Sequence, residues 1–318
     1  MNACYLGLDV GNSRLSAAIV GCDGRVRALR RCATPQATAA AVRALIELAV
    51  GAMGEGGARP LAAGIGFGGP VDLAASRVRG SFLAPGWADV PLGQIVAEGL
   101  GLPCFLANDA NAAGLGEASF GAGRGASCLL YVNVGTGIGG AVIIEGRLHT
   151  GATSAAGEIG HFIVVPDGPP CECGKRGCAQ ALASGAALGR RARVLLGAGD
   201  WPSSLRAVQA GALTGRDVGE AARAGDALAG RVVSEAAGWL GIALANAGHL
   251  LDPERIVVGG GVAELGELFL GPLRASYRAH IFGPATQTPL LAAELGYDAG
   301  VIGAAAVAMS EQGAYAAP

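Results

Sequence analysis

The sequence has little charge, few aromatic residues and almost no lysine. Charged residues make up 15% and aromatic residues 5% of the 318 positions, and Lys175 is the only lysine among 23 basic residues. The net charge is −2, and the sequence shows no basic stripe that would follow a nucleic-acid backbone. We therefore expect no nucleic-acid partner.

Long hydrophobic segments are also missing. Although 51% of the residues are hydrophobic, no unbroken apolar run approaches the roughly 20 residues needed to cross a membrane. Residues 1–5, MNACY, lack the basic segment and apolar run of a signal peptide. We expect a cytoplasmic protein with no membrane partner.

The eight cysteines do not indicate a disulfide framework, because thiols in a cytosolic chain stay reduced. Five of them occur singly in apolar or strand-like contexts, which is typical of small buried side chains. These are Cys4, Cys22, Cys32, Cys104 and Cys128.

What is present is an alternation of strands and helices, which places the chain in the α/β class. Segments 5–20, 61–67 and 255–258 have strand-like patterns, and segments 42–53 and 227–250 have apolar stripes at helical spacing. A chain of 318 residues favours two domains over one.

One strand–turn–strand pattern occurs twice. Residues 8–13, LDVGNS, recur as residues 132–137, VNVGTG, and each segment continues into an apolar strand. Chance similarity between two hairpins is one explanation. The other is a duplication that gives two α/β domains facing each other across a cleft, where ligands preferentially bind.

The two turns of this repeat are candidate phosphate sites, because small residues at a strand end expose backbone N–H groups that suit an anion. The residues are Gly11, Asn12 and Ser13 in one turn and Gly135, Thr136 and Gly137 in the other. Neither turn is a Walker A loop or a Rossmann turn, since each leads into another strand. Asp9 precedes the first turn, where it either holds Mg²⁺ through water or hydrogen-bonds the turn.

Asp109 is the candidate general base. Phosphoryl transfer to an alcohol uses a carboxylate that accepts the hydroxyl proton, and Asp109 lies between a strand at 103–107 and the helix that follows. Local sequence alone favours a helix-capping role for this residue. The catalytic interpretation depends on the other motifs that accompany it.

The sequence contains one strong metal-binding pattern. Cys171, Cys173 and Cys178, with His161 upstream, supply the ligand set of a closed tetrahedral Zn²⁺ site. Such a site is structural, and a zinc hydrolase is excluded because no position is left for water. Unligated cysteines are the weaker alternative. Glu158 lies three residues before His161, so the two side chains would face the same way on one helical turn. If one ring nitrogen of His161 binds zinc, the other is free for a ligand hydroxyl.

Together these motifs resemble the ROK family (repressors, open reading frames, kinases) of the actin/hexokinase-like ATPases, and among its members most resemble ATP-dependent glucokinases of actinobacterial type. The likeness covers nearly the whole chain. It is carried above all by segments 108–117 (NDANAAGLGE), 158–161 (EIGH) and 171–178 (CECGKRGC).

The resemblance implies a two-domain actin/hexokinase-like (ribonuclease H-like) α/β fold with an interdomain cleft. Residues 1–108 would form a small N-terminal domain, rejoined by a C-terminal helix near 300–318. Residues 109–299 would form a large domain that carries the zinc loop. The implied cofactors are ATP, Mg²⁺ and structural Zn²⁺, and the implied assembly is a homodimer or homotetramer.

The resemblance also implies roles for individual residues. Asp109 would be the base for the 6-hydroxyl of a sugar. The sugar would be bound by Gly69, Asn108, Asp109, Glu158, His161 and Gln180, and the phosphates and Mg²⁺ by Asp9, Gly11, Asn12, Ser13, Gly135, Thr136 and Gly137. The adenosine would be bordered by Gly259, Gly260 and Gly261, and the zinc would be bound by His161, Cys171, Cys173 and Cys178.

Two positions depart from the family pattern. The first turn usually reads Asp-x-Gly-Gly-Thr, and this chain has Asn12 and Ser13, which tolerate a left-handed backbone and keep a hydroxyl, respectively. Two residues after the last cysteine of the cluster the family usually has a glutamate that contacts the anomeric side of the sugar, and this chain has Gln180. An amide donates as well as accepts hydrogen bonds, so Gln180 points to a changed ligand.

The predicted activity is ATP-dependent phosphorylation of the 6-hydroxyl of glucose or a glucose-like sugar. One alternative is a glucose analogue of secondary metabolism, as in antibiotic biosynthesis: an amino sugar such as kanosamine or a C7-cyclitol of the valiolone type. The alternative from another class is a non-catalytic, sugar-sensing ROK protein, against which the retained Asp109 and both phosphate turns argue.

Overall fold

The protein is described by a computed structural model that covers residues 3–57, 59–80 and 86–314. The strands are β1 (Cys4–Val10), β2 (Arg14–Gly21), β3 (Val26–Ala33), β4 (Ala63–Phe67), β5 (Val71–Asp72), β6 (Arg77–Val78), β7 (Cys104–Asn108), β8 (Cys128–Val134), β9 (Ile138–Ile144), β10 (Arg147–His149), β11 (Arg255–Gly259) and β12 (Leu290–Ala292). The α-helices are α1 (Thr38–Gly56), α2 (Leu92–Leu100), α3 (Asp109–Phe120), α4 (Ala179–Ala183), α5 (Gly185–Ala198), α6 (Gly215–Arg223), α7 (Ala227–Leu251), α8 (Glu267–His280) and α9 (Ala299–Glu311).

The first sheet has the strand order β3-β2-β1-β4-β7 and is covered on both faces. Along β1 the side chains alternate, so Leu6 and Leu8 pack with Leu45 of α1, whereas Tyr5 packs with Val301 of α9. Side chains of a strand alternate between the two faces of the sheet. Both faces of β1 are apolar because a central strand is covered by a layer on each side.

Glycine lets α9 lie directly on this sheet. A Cβ on Gly7 would lie 1.9 Å from the carbonyl oxygen of Val301, and one on Gly64 would lie 1.7 Å from that of Ala304. Both distances are far inside van der Waals contact, so any side chain at these positions would push the helix away.

Three parallel strands of the first sheet end at one edge. β1 is parallel to β4 with Val10 opposite Phe67, and β4 is parallel to β7 with Phe67 opposite Asn108. Parallel strands present their carboxyl ends on the same side, which is where ligands bind in open α/β sheets. The sheet therefore brings Asp9 and Asp109 to a common edge.

The second five-stranded sheet has the order β10-β9-β8-β11-β12, and β11 and β12 are parallel. β8 and β9 are neighbours joined by residues 135–137, in the same way that β1 and β2 are neighbours joined by residues 11–13. The repeated sequence pattern therefore corresponds to a repeated strand–turn–strand unit.

Helix α7 is, among the described residues, the one helix long and apolar enough to span a membrane by length and composition. More than half of its most apolar window, 56%, is buried inside the protein. Val233 and Leu240 are fully buried, as expected for a helix in the core of the second unit.

The chain divides into two compact units, one of Met1–Leu129, Ala141–Gly157 and Glu294–Pro318 and the other of Leu130–Gly140 and Glu158–Ala293. The sequence prediction placed the first boundary after residue 108, whereas this division places α3 in the first unit. The reason is the packing of α3 against α9, where a Cβ on Gly116 would lie 2.9 Å from the Cα of Gly303. The last four residues of the predicted C-terminal helix, 315–318, lie outside the described residues.

Candidate active site

Asn108, and not Asp109, is the N-cap of α3. The Asn108 Oδ1 accepts hydrogen bonds from the backbone N–H groups of Ala110 at 3.0 Å and Asn111 at 3.2 Å. Its Nδ2 donates to the carbonyl oxygen of Gly69 at 3.2 Å. One amide side chain thus satisfies orphan donors of the helix and fixes the Gly69 loop beside the end of β7.

Asp109 occupies the first position of α3, where the helix dipole favours a negative charge. Its Oδ1 accepts a hydrogen bond from the Ala110 N–H at 2.8 Å. Its Oδ2 lies 3.5 Å from the position that a Cβ of Gly68 would take, so the carboxylate lies against the backbone that follows β4. The position is rigid because helix, strand end and loop all fix it.

Asp9 lies close enough to Asp109 for the two charges to interact. Burial is the main cause that raises the pKa of Asp9, and the negative charge of Asp109 raises it further, to about 6. The positive charges of Arg14 and Arg31 act in the opposite direction. A cation bound near the two carboxyl groups would reduce this repulsion.

The turn after Asp9 is closed by its own backbone and by Thr34, the residue that follows β3. The Gly11 N–H donates to the carbonyl oxygen of Arg14 at 3.1 Å, and the Thr34 hydroxyl donates to the carbonyl oxygen of Gly11 at 2.6 Å. In the described part of the chain no hydrogen bond joins the Asp9 carboxylate to this turn, which was one of the two roles the sequence left open. Asp9 instead packs against α9, where a Cβ on Gly300 would lie 2.8 Å from its Cγ.

The second turn, residues 135–137, lies against the start of α5. The Gly185 N–H donates to the carbonyl oxygen of Gly135 at 2.8 Å, and the Gly135 N–H donates to the carbonyl oxygen of Gly137 at 2.9 Å. At the far end of the turn, the Ile138 N–H donates to Oε1 of Gln180 at 3.0 Å. These hydrogen bonds fix the turn from both sides.

The glycine segment 259–261 packs on the end of β8, immediately before the second turn. Gly260 has a φ of +88°, and a Cβ there would lie 2.6 Å from the carbonyl oxygen of Val134. The Val262 N–H donates to this same oxygen at 3.0 Å. Only glycine combines this backbone conformation with this close approach, so the structure places segment 259–261 beside the second turn.

The predicted metal ligands converge. One ligand atom from each of His161, Cys171, Cys173 and Cys178 lies within 4.8 Å of the others. The Cys173 and Cys178 sulfurs are 3.7 Å apart, and the eight cysteines of the chain are all free thiols. A tetrahedral ion with zinc–sulfur bonds of about 2.3 Å needs sulfur–sulfur edges of about 3.8 Å, so the four donors fit zinc.

His161 ends a short 3₁₀ turn (Ile159–His161) and Glu158 precedes this turn, so the two residues are not on an α-helical turn. The His161 Nδ1 lies 3.7 Å from the Cys171 sulfur, and its Nε2 lies 3.8 Å from a carboxylate oxygen of Glu158. One ring nitrogen therefore faces the metal cluster and the other faces the Glu158 side. Gly160 presses this turn onto β9, since a Cβ there would lie 2.2 Å from the carbonyl oxygen of Ile138.

Sequence reasoning assigned no role to Glu117, which is fully buried. Its two carboxylate oxygens accept hydrogen bonds from the N–H groups of Ala122, Glu294 and Leu295 at 2.8–3.2 Å. Glu117 thus ties the end of α3 to the segment that leads into α9. The available signal was a second acidic residue in a helix rich in alanine and glycine.

Comparison with known proteins identifies the family of the chain. The chain matches the ROK family over residues 5–311. It is 36% identical over 318 residues to the glucokinase of Streptomyces coelicolor, with 95% of this chain and 96% of the relative covered. A crystal structure of a ROK family glucokinase from Streptomyces griseus in complex with glucose and AMPPNP shares 38% identity and a TM-score of 0.81, covering 95% of this chain and 98% of that one. A ROK hexokinase from Thermus thermophilus shares 36% identity and a TM-score of 0.82, covering 98% and 100%.

Proposed function

Because the chain belongs to the ROK family, has its actin/hexokinase-like fold and is an ATP-dependent sugar kinase, we propose that it phosphorylates the 6-hydroxyl of glucose or a glucose-like sugar with Asp109 as the general base. The observation that carries this proposal is the capping of α3 by Asn108. Helix capping, the alternative role for Asp109, is performed by its neighbour.

Asp109 accepts the proton of the sugar hydroxyl as the terminal phosphoryl group of ATP is transferred. Phosphoryl transfer depends mainly on positioning and charge stabilisation, and the Asp109 carboxylate is held at a helix start beside the Gly68 backbone. Asp9 would hold Mg²⁺ through water, and this hard cation would neutralise charge on the phosphates. Its interaction with the Asp109 charge fits a site that takes a cation.

The remaining predicted residues bind the two substrates. Gly69, Asn108, Glu158, His161 and Gln180 contact sugar hydroxyls, and the turns at 11–13 and 135–137 contact the phosphates. Segment 259–261 borders the adenosine. Within the first unit, the hydrogen bond from Asn108 to Gly69 supports the pairing of these two residues. Within the second unit, the packing of Gly260 on β8 supports the pairing of segment 259–261 with the turn at 135–137.

The cluster of His161 with Cys171, Cys173 and Cys178 holds a structural Zn²⁺. Four donors are the number that a closed tetrahedral shell needs, so the ion would give shape to the 161–178 loop and leave no position for a reactive water. His161 then has its second ring nitrogen on the Glu158 side, where it is available to orient a sugar hydroxyl.

A second candidate substrate is a glucose analogue such as an amino sugar or a C7-cyclitol. The Ile138 N–H can only donate, so the oxygen of the Gln180 carboxamide faces it, and the NH₂ group is left for other partners. A glutamate at this position would offer an acceptor oxygen there instead. A ligand with a carbonyl or a changed hydroxyl on this side would match the NH₂ donor.

We also propose a cytoplasmic homodimer or homotetramer. The free thiols fit a reducing compartment. The second unit carries a groove of about 900 Å³ between α5, α7 and α8, with Val194, Trp239 and Ile242 among its lining. Val194 is 60% exposed, and an exposed apolar surface of this kind fits the contact with a second copy.

The test is ADP release with ATP, Mg²⁺ and a panel of glucose, glucosamine, kanosamine and a C7-cyclitol. The substrate is the compound with the highest kcat/KM, and a clear preference for glucose would remove the analogue proposal. Asp109→Asn should lower kcat by about 10²- to 10⁴-fold, the usual contribution of a general base. The exposed Asp200 provides the control Asp200→Asn, which should leave kcat unchanged. A protein that binds sugar but releases no ADP with any compound would be a sensor, and the kinase proposal would then be wrong.

A further inference from the structure

The carboxamide of Gln180 lies directly against the second turn. Gln180 belongs to α4, which begins immediately after Cys178, and its Oε1 accepts the Ile138 N–H at 3.0 Å. A Cβ on Gly137 would lie 3.0 Å from this same oxygen and 3.4 Å from the Cδ. The side chain therefore contacts both the last residue of the turn and the first residue of β9.

The other support of the turn comes from α5. The N–H groups of Gly185 and Ala186 donate to the carbonyl oxygens of Gly135 at 2.8 Å and Thr136 at 3.3 Å. Helix α5 thus holds the first two carbonyl groups of the turn, and Gln180 holds its exit. A turn fixed at both ends loses less conformational entropy when it binds an anion.

We propose that Gln180 is a positioning residue for the phosphate turn, in addition to any contact it makes with sugar. This inference rests on the proposed function, because it takes residues 135–137 to bind the nucleotide phosphates. The neutral amide supplies the acceptor that the Ile138 N–H needs without placing a negative charge beside the phosphates. Position 180 would then influence nucleotide affinity as well as sugar preference.

The experiment measures the binding of AMP-PNP with Mg²⁺ by calorimetry in the absence of sugar, which isolates the turn from the sugar contacts. Gln180→Met keeps the length of the side chain and removes the acceptor. Loss of this hydrogen bond should raise the Kd for AMP-PNP about 3- to 10-fold. Gln209 is exposed, so Gln209→Met makes the same exchange elsewhere and should leave the Kd unchanged.

A double-mutant cycle tests the contact itself. Gly137 has no positive φ, so alanine fits its backbone, and the added Cβ meets Gln180. Gly137→Ala should shift the carboxamide by a few tenths of an ångström, weaken its hydrogen bond to Ile138 and raise the Kd by less than Gln180→Ala does. The double variant should bind no more weakly than Gln180→Ala alone, because the carboxamide is already absent.

Three results would decide against the inference or its premise. Wild-type affinity in Gln180→Met, with melting temperature unchanged, would overturn the positioning role. If the losses of AMP-PNP affinity add in the double variant, the two residues act independently, and this result would also overturn the positioning role. Failure of the wild-type protein to bind AMP-PNP would instead contradict the proposed function, so the two failures are distinguishable.

Discussion

Asn108 and Asp109 are adjacent, but the structure gives them different partners. The Asn108 side chain accepts a hydrogen bond from a backbone N–H of the helix and donates one to the carbonyl oxygen of Gly69. A carboxylate could not make the second bond because it has no donor. Asp109 keeps a carboxylate at the helix start, where the dipole stabilises its charge. The pair therefore places a helix-capping amide and a carboxyl group side by side.

Asp9 gives a prediction about pH. Its folded pKa of about 6 lies above the ordinary value of 3.8, so the folded state binds this proton more tightly than the unfolded state does. The stability that this proton contributes is fully present below about pH 4 and is lost as the pH rises through about 6. Asp9→Asn should therefore be more stable than wild type above pH 6, by at most on the order of 3 kcal/mol, and the difference should shrink towards pH 4.

Urea unfolding of both proteins from pH 4 to pH 8, without Mg²⁺, checks this prediction. A stability difference that stays constant over this range would mean that Asp9 does not titrate as proposed.

Glu117 gives a prediction about stability. Glu117→Gln places an NH₂ group against backbone N–H donors that now meet carboxylate oxygens. Leaving such buried donors unpaired should lower the free energy of unfolding by about 1–3 kcal/mol. Glu145 is exposed, so Glu145→Gln should change the free energy of unfolding by less than about 0.5 kcal/mol. Equal urea midpoints for the two variants would contradict the role given to Glu117.

At the scale of elements, the contact of α9 with the first sheet depends on missing side chains. Gly64→Ala would drive its Cβ into the carbonyl oxygen of Ala304, and this overlap with backbone should cost more than about 3 kcal/mol or prevent folding. Gly54→Ala adds the same methyl group on α1, where nothing lies within 4 Å, and should stabilise the protein by up to about 1 kcal/mol. Thermal and urea unfolding of the two variants separate the effect of the contact with backbone from the effect of helix propensity.

The loop from His161 to Cys178 gives a prediction about metal. Cys173→Ser should lose bound zinc and lower the melting temperature, because a structural zinc contributes folding energy to its loop. Cys22 is exposed and outside the cluster, so Cys22→Ser should retain the metal. Elemental analysis of the purified proteins measures the zinc content. Equal zinc in both variants would show that the cluster is not the binding site.

At the scale of the whole molecule, the groove of the second unit gives a prediction about assembly. Val194→Glu puts a charge into the apolar groove and should reduce the molar mass measured by light scattering to that of a monomer. Val50 is similarly exposed, at 52% against 60%, and lies on α1, so Val50→Glu should leave the assembly intact. An unchanged mass for both variants would remove the groove as the interface.

The sequence alone was sufficient for features that depend on neighbouring residues. The ligands at 171, 173 and 178 are close along the chain, so spacing predicted a cluster that the structure brings together. The strand–turn–strand segments, the long helix at 227–250 and the α/β class followed from apolar periodicity in the same way, and the family and fold are confirmed.

Tertiary structure decided the features that join distant segments. The raised pKa of Asp9 depends first on its burial in the folded protein and then on the charge of Asp109. The need for glycine at position 64 depends on a helix that begins at residue 299. Gln180 and Ile138 are 42 residues apart, so local sequence holds no sign of their hydrogen bond. Periodicity and spacing describe only neighbours along the chain, whereas contacts between remote segments arise only when the sheets and helices pack.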